Sequence, residues 1–145
     1  MAFYISTTPS SNIITAVATL RSRLKAKFNP RKDAFTLAVA LGSVQYLDKT
    51  NSLGTKSVYA WLNDTYPNLK LEAVPEMDGA NGGSNVFYVY ADAVNGKKTF
   101  KQSVQDIMRL IGVEKKAKVF IEAYASATAG VLCQYPVAVV RYSGV

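Results

Sequence analysis

The run TAGVLCQYPVAVVRYSGV occupies residues 128–145. It holds two short apolar runs, 130–133 and 137–142, separated by Pro136 and carrying one charge, Arg141. Runs of this length and β-branched content read as buried strands. The chain is therefore expected to tie its C-terminal segment into a core. A buried strand must also pair its backbone groups, so 137–142 needs a partner strand upstream.

Working outward, three upstream segments qualify as strands. AFTLAVAL at 34–41 is a continuous apolar run closed by Gly42-Ser43, the pattern of a strand covered on both faces. VFYVYA at 86–91 has equally high β propensity. Residues 69–74 alternate Leu69, Leu71 and Ala73 with polar positions. Asn95-Gly96 within 92–98 predicts a hairpin turn. VFIEAY at 119–124 alternates well enough for a further strand, after a charged turn at 114–118. Segment 99–113 stays open between helix and strand. Val104, Ile107, Met108 and Ile111 have helical spacing, yet the segment follows a turn and leads into strand material.

Helices are expected in the first half. After an extended lead-in over 1–10, Ser10, Ser11 and Asn12 offer N-cap chemistry. Ile13, Val17, Leu20, Leu24 and Phe28 then recur at spacings of three or four, up to Asn29-Pro30. Arg21 and Lys25 border this stripe on one side, Arg23 and Lys27 on the other. The remaining face, Thr15, Ala18, Thr19, Ser22 and Ala26, is small and uncharged. It reads either as an ordinary solvated face or as a surface that lets a second subunit approach closely. Residues 43–49 predict a short helix, 49–54 a polar turn. Val58, Trp61, Leu62 and Tyr66 mark another helix, stopped by Pro67. Helices and strands are partly segregated along the chain, which points to an α+β fold with a central mixed sheet flanked by helices. At 145 residues a single domain spanning 1–145 is expected.

Composition narrows the chemistry. With no histidine, the chain cannot build a Ser-His-Asp or Cys-His nucleophile or a histidine-ligated zinc site. One cysteine excludes an internal disulfide and a cysteine-rich metal site. Cys133 lies in an apolar run with no basic neighbour and is expected to be buried and inert. No apolar run reaches the roughly 20 residues of a membrane helix. Net charge is +7, and six of the 17 basic residues (Arg21, Arg23, Lys25, Lys27, Arg31 and Lys32) fall in one short stretch. That balance favours acidic partners.

Two local patterns invite chemistry and fall short of it. Glu76 and Asp78, with Asp64 or Asp92, are carboxylates that a fold could gather around a metal, but the glycine-rich loop after them lacks the spaced acidic ligands of a calcium loop. An ordinary turn, with Asp78 bonding the backbone two residues on, is the simpler expectation. Gly54-Thr55-Lys56-Ser57 lacks the first glycine of a phosphate loop. No enzyme activity, cofactor, metal or small-molecule substrate is expected. A carboxylate- or lysine-based enzyme would need a concave pocket of shifted groups.

The closing run, 128–145, resembles the C-terminus of tailed-bacteriophage major capsid proteins with the Hong-Kong-type fold, which encapsulin shells share. Its glycine turn, β run, aromatic-proline step, apolar strand and final Tyr-Ser-Gly-Val carry the likeness. The order upstream fits from Asn12 onward: a helix, a strand over 35–41, a helix to Tyr66-Pro67, then a strand into Pro75-Glu76-Met77-Asp78-Gly79 and a strand over 86–91. Family subunits are longer, so the resemblance implies an axial domain plus part of the peripheral-domain sheet, to which the strands of 119–145 are assignable. It implies a structural protein of a tailed phage or prophage, in the virion, made in the host cytoplasm. Its partners would be other copies of itself and, non-specifically, packaged DNA, with no membrane. Contact surfaces expected on that basis are Thr15, Ala18, Thr19, Ser22 and Ala26, and the loop residues Asp78, Asn81 and Asn85. Arg21, Arg23, Lys25 and Lys27 would face nucleic acid. The alternative is a small basic nucleic-acid-binding module.

Overall fold

A computed structural model describes residues 9–50 and 54–143. It divides into two compact units, one formed by the chain up to Thr99 together with the segment from Tyr135, the other by Phe100–Gln134.

The first unit is built on a four-stranded mixed sheet. Strands β1 (Phe35–Ala40), β2 (Leu69–Val74), β3 (Val86–Ala91) and β8 (Val139–Ser143) lie in the order β2-β1-β3-β8. All six residues of β1 are buried, which is why its sequence is apolar on both faces. β2 runs parallel to β1, with Phe35 opposite Leu69 and Ala40 opposite Val74. Parallel neighbours need a long crossover. Residues 41–68 supply it, through a 3-10 turn over Leu41–Tyr46 and helix α2 (Val58–Thr65). Ser57 caps α2, its hydroxyl accepting from the Ala60 amide at 3.2 Å. The short helix expected over 43–49 is thus a 3-10 turn placed two residues earlier. Part of the expected 49–54 turn lies outside the described residues.

The strand pairing that 137–142 needs is met by β3. Antiparallel β3 and β8 put Phe87 opposite Tyr142, and the two rings stack at 5.2 Å with planes 10° apart. The strand starts only at Val139, because Pro136–Ala138 forms a 3-10 turn. Proline lacks the amide a ladder requires, so Pro136 stays off the sheet. The strand material of 119–145 is therefore divided: β8 belongs to this sheet, and 119–133 belongs to the second unit.

Helix α1 (Pro9–Leu24) packs against β3, β8 and the 136–138 turn. Its stripe is buried as the spacing predicts, Leu20 completely, and Ala16 joins it. The helix begins at Pro9, so the extended lead-in cannot reach residue 10; residues 1–8 and the cap side chains of Ser10 and Ser11 lie outside the described residues. It also ends four residues before Phe28. Lys25 takes a left-handed conformation (φ 49°), a common way to end a helix. Phe28 is then extended and meets Phe35 edge-to-face at 5.7 Å. Beyond β3, Ala93–Val94 (β4) and Lys97–Lys98 (β5) form the tight hairpin that Asn95-Gly96 predicts. Both turn residues have positive φ (52° and 77°), as the right-handed twist of a two-residue hairpin demands.

The second unit is a long antiparallel ribbon of β6 (Phe100–Lys116) and β7 (Val119–Cys133). Residues 100–113, left open between helix and strand, are strand; β6 continues through Lys116, so the charged turn expected over 114–118 shrinks to Ala117-Lys118. Register shifts lie between Ser103 and Val104, Val104 and Asp106, Asp106 and Arg109, and Leu110 and Gly112. Each bulge breaks the period of two. That is how a strand came to space Val104, Ile107, Met108 and Ile111 like a helix.

Candidate subunit interface

Three surfaces stand out. The first is the β6–β7 ribbon. Its large apolar side chains face solvent: Ile107 is 86% exposed, Met108 71%, Val131 67% and Phe120 66%. Alternation along β7 puts Phe120, Glu122 and Tyr124 on one side and Val119, Ile121, Ala123 and Ala125 on the other. Two strands have no interior in which to hide either side, and an isolated ribbon is marginal in water. The Tyr124 hydroxyl donates to Glu122 at 2.6 Å, which raises its pKa above the usual tyrosine value by favouring the protonated phenol. Cys133, opposite Phe100 at the base of the ribbon, is half-buried rather than buried.

The second surface is an open groove of about 960 Å³ beside α1. Its walls come from α1, the 29–31 turn before β1 and the end of α2. Val17 and Tyr66 line it, with Ala18 and Ser22 from the small-residue face and three cations, Arg21, Lys25 and Arg31. Thr15, Thr19 and Ala26 are not part of it, and the Thr19 hydroxyl donates to the Thr15 carbonyl at 2.9 Å. Arg23 lies off the groove and donates to the Val139 carbonyl at 3.1 Å; Lys27 is exposed. Among the described residues, none of Arg21, Arg23, Lys25 and Lys27 forms an ion pair.

The third is the glycine-rich loop over 75–85. Asp78 does not make the expected short-range turn. Its carboxylate accepts from the Gly42 amide, 36 residues away, at 3.0 and 3.3 Å. Asn85 accepts from the Gly79 amide at 3.0 Å and donates to the Ser43 hydroxyl at 2.8 Å. Asn81 donates to the Ser84 hydroxyl at 3.2 Å. Asp78 and Asn85 thus pin the loop to the turn that follows β1, while Asn81 is exposed. Asp78→Ala is expected to cost about 1 kcal/mol in a denaturant titration and to speed amide exchange at Gly42. Unchanged exchange there would show that the anchor does not form in solution.

The sequence singled out α1 and the loop but missed Arg31, Tyr66 and the ribbon. The alternating run over 119–124 was the available signal, and the apolar run 130–133, expected to be buried, instead leaves Val131 and Leu132 open to solvent because a two-stranded ribbon has no core to receive them. Among the described residues, no three carboxylate or cysteine side chains gather where a metal could sit, and no helix is long and apolar enough to cross a membrane.

A family model described as Pa193 gp26 major capsid protein matches residues 6–144. No curated protein matches. Among solved structures, the chain is similar to the capsid of Myoviridae phage XM1, with 14% identity and a TM-score of 0.72, over 94% of this chain and 45% of that one. It is also similar to a virus-like particle from Pyrococcus furiosus, with 16% identity and a TM-score of 0.54, over 94% of this chain and 54% of that one. The chain spans about half the length of these solved structures. At such identities the likeness is one of fold, and it agrees with the expected α+β architecture.

Proposed function

The chain belongs to the Pa193 gp26 major capsid protein family, and from that premise we propose that it is a structural subunit, or the C-terminal portion of one, in the icosahedral shell of a tailed phage or prophage. It works by contacts with other copies and performs no catalysis. Its place is the virion, after synthesis in the host cytoplasm. The observation that carries this reading is the β6–β7 ribbon, whose apolar side chains are open on a unit with no core of its own. Large apolar side chains left open in such number along one element mark an interaction site. The α1 face (Thr15, Ala18, Thr19, Ser22 and Ala26) and the loop with Asp78, Asn81 and Asn85 supply further contacts. Electron microscopy of the chain in its longest natural form tests the proposal. Closed shells are expected. A monomer under all conditions, with steeply salt-dependent DNA binding, would favour the basic-module reading instead.

The net charge of +7 suits a shell that encloses DNA. Of the four cations on this segment, Arg23 and Lys27 stand off the groove, and we assign non-specific contact with DNA phosphates to them. Replacing both by alanine is expected to make log affinity fall less steeply with log salt. The slope should shrink by about 0.9 for each phosphate no longer neutralised, so by roughly 2 for the pair. An unchanged slope would remove them from the DNA-facing surface.

A further inference from the structure

The α1 groove and the loop over 75–85 lie at opposite ends of β1. Arg31 and Tyr66, on the groove, precede β1 and β2; Glu76 and Asp78 follow β2, and Asp78 bonds Gly42 just after β1. Six strand residues separate the two ends, about 20 Å at 3.3 Å per residue. The groove is cationic, because Arg21, Lys25 and Arg31 line it and no carboxylate does. The other end offers an exposed acidic turn, Pro75-Glu76-Met77-Asp78, whose Glu76 forms no ion pair among the described residues.

We propose that the Glu76 turn of one copy seats in the α1 groove of the next, with the Glu76 carboxylate among Arg21, Lys25 and Arg31. The inference rests on the shell-subunit reading and assigns that reading a specific contact. Charge complementarity selects the occupant, since a cationic hollow and an anionic turn lie at opposite ends of β1. The apolar part of the lining, the exposed Ile14 with Tyr66, suits a turn carrying Met77 better than it suits bare phosphate. A groove of about 960 Å³ is at the upper end of the pocket range of roughly 300–1,000 Å³, and the short side chains of Ala18 and Ser22 leave it open. Because two different patches meet, the contact is head-to-tail, and repetition closes it into a ring or extends it.

Charge reversal tests the contact. In the full-length chain, Arg21→Glu/Lys25→Glu/Arg31→Glu and, separately, Glu76→Lys are each expected to raise the concentration at which particles appear by about tenfold or more. Combining them is expected to restore assembly toward that of the unsubstituted chain, because the charges then attract with reversed sign. Every substituted side chain is exposed, and thermal unfolding checks that each variant folds. Two independent defects with no recovery in the combined variant would overturn the proposal. So would normal assembly of both variants, while ribbon substitutions still abolished particles; that result would leave the shell reading in place. Reduced DNA affinity with unchanged assembly would overturn it too and assign the groove to nucleic acid. If the unsubstituted chain formed no particles, the shell reading would fall and this contact with it.

Discussion

Replacing Ile107 and Phe120 together by aspartate is expected to abolish closed particles while leaving the first unit folded. Both side chains lie on the β6–β7 ribbon and are mostly open to solvent in the single chain, at 86% and 66%. Neither supports the core around β1, so the unassembled chain is little destabilised. In an assembly the balance differs. Burying an apolar side chain of this size contributes about 1.5–3 kcal/mol. Removing two per subunit amounts to roughly 3–6 kcal/mol, or two to four orders of magnitude in an association constant. Burying an unpaired carboxylate in the same place costs more again. Light scattering and electron microscopy would read the disappearance of particles, and circular dichroism the retained fold. Undiminished particles from this variant would mean that the ribbon is not where subunits meet. Lysine in place of aspartate separates burial from local charge, since either charge is excluded from an apolar contact.

The second large effect lies in the core. Phe35→Ala is expected to destabilise the first unit by about 3–5 kcal/mol. Phe35 is fully buried and starts β1, where Leu69 and Ala91 flank it across the sheet. Its ring meets Phe28 at 5.7 Å and Tyr66 at 5.6 Å, both edge-to-face. Removing it empties a site that joins the end of the first helix to the crossover, and each ring pair adds about 0.5–1.5 kcal/mol beyond the area it buries. Against a typical stability of about 5–15 kcal/mol, the variant would be marginal. A denaturant titration would show a lower midpoint with an unchanged slope. A cost under about 1 kcal/mol would mean that the neighbouring rings collapse into the cavity.

Much of the first unit was legible in its residues. The runs 34–41, 69–74 and 86–91 became β1, β2 and β3 with at most one residue trimmed at an end. The spacing of Ile13, Val17, Leu20, Leu24 and Phe28 marked the buried stripe. Asn95-Gly96 set its turn, because few other pairs tolerate positive φ at both positions. These features are local, and burial enforces them one element at a time. The ribbon was legible only in part: 119–124 and 130–133 read as strand and lie in β7, while β6 and the exposure of both strands were not foreseen. β6 buries little, so no inward face stamped a period of two on it, and its bulges scrambled what alternation remained. The assembly surfaces were half legible. Ala18 and Ser22 could be seen as small side chains on one face, but that face becomes one wall of a groove only when Arg31 and Tyr66 arrive from distant positions. Asp78 looked like an ordinary turn residue because its partner, the Gly42 amide, is far away in the chain.

The element types of the sheet unit, the absence of histidine chemistry, the basic charge and the resemblance carried by residues 128–145 could all be read from the residues alone. Each depends on residue identity or on spacings of a few positions. Only the folded chain shows which strand the closing run joins, that β3 and not the ribbon receives β8, and that the cations of α1 are sorted between a groove and open surface. Those outcomes follow from long-range pairing. Backbone hydrogen bonds between strands are nearly the same for any partner, so shape and burial choose among them only when the whole sheet forms.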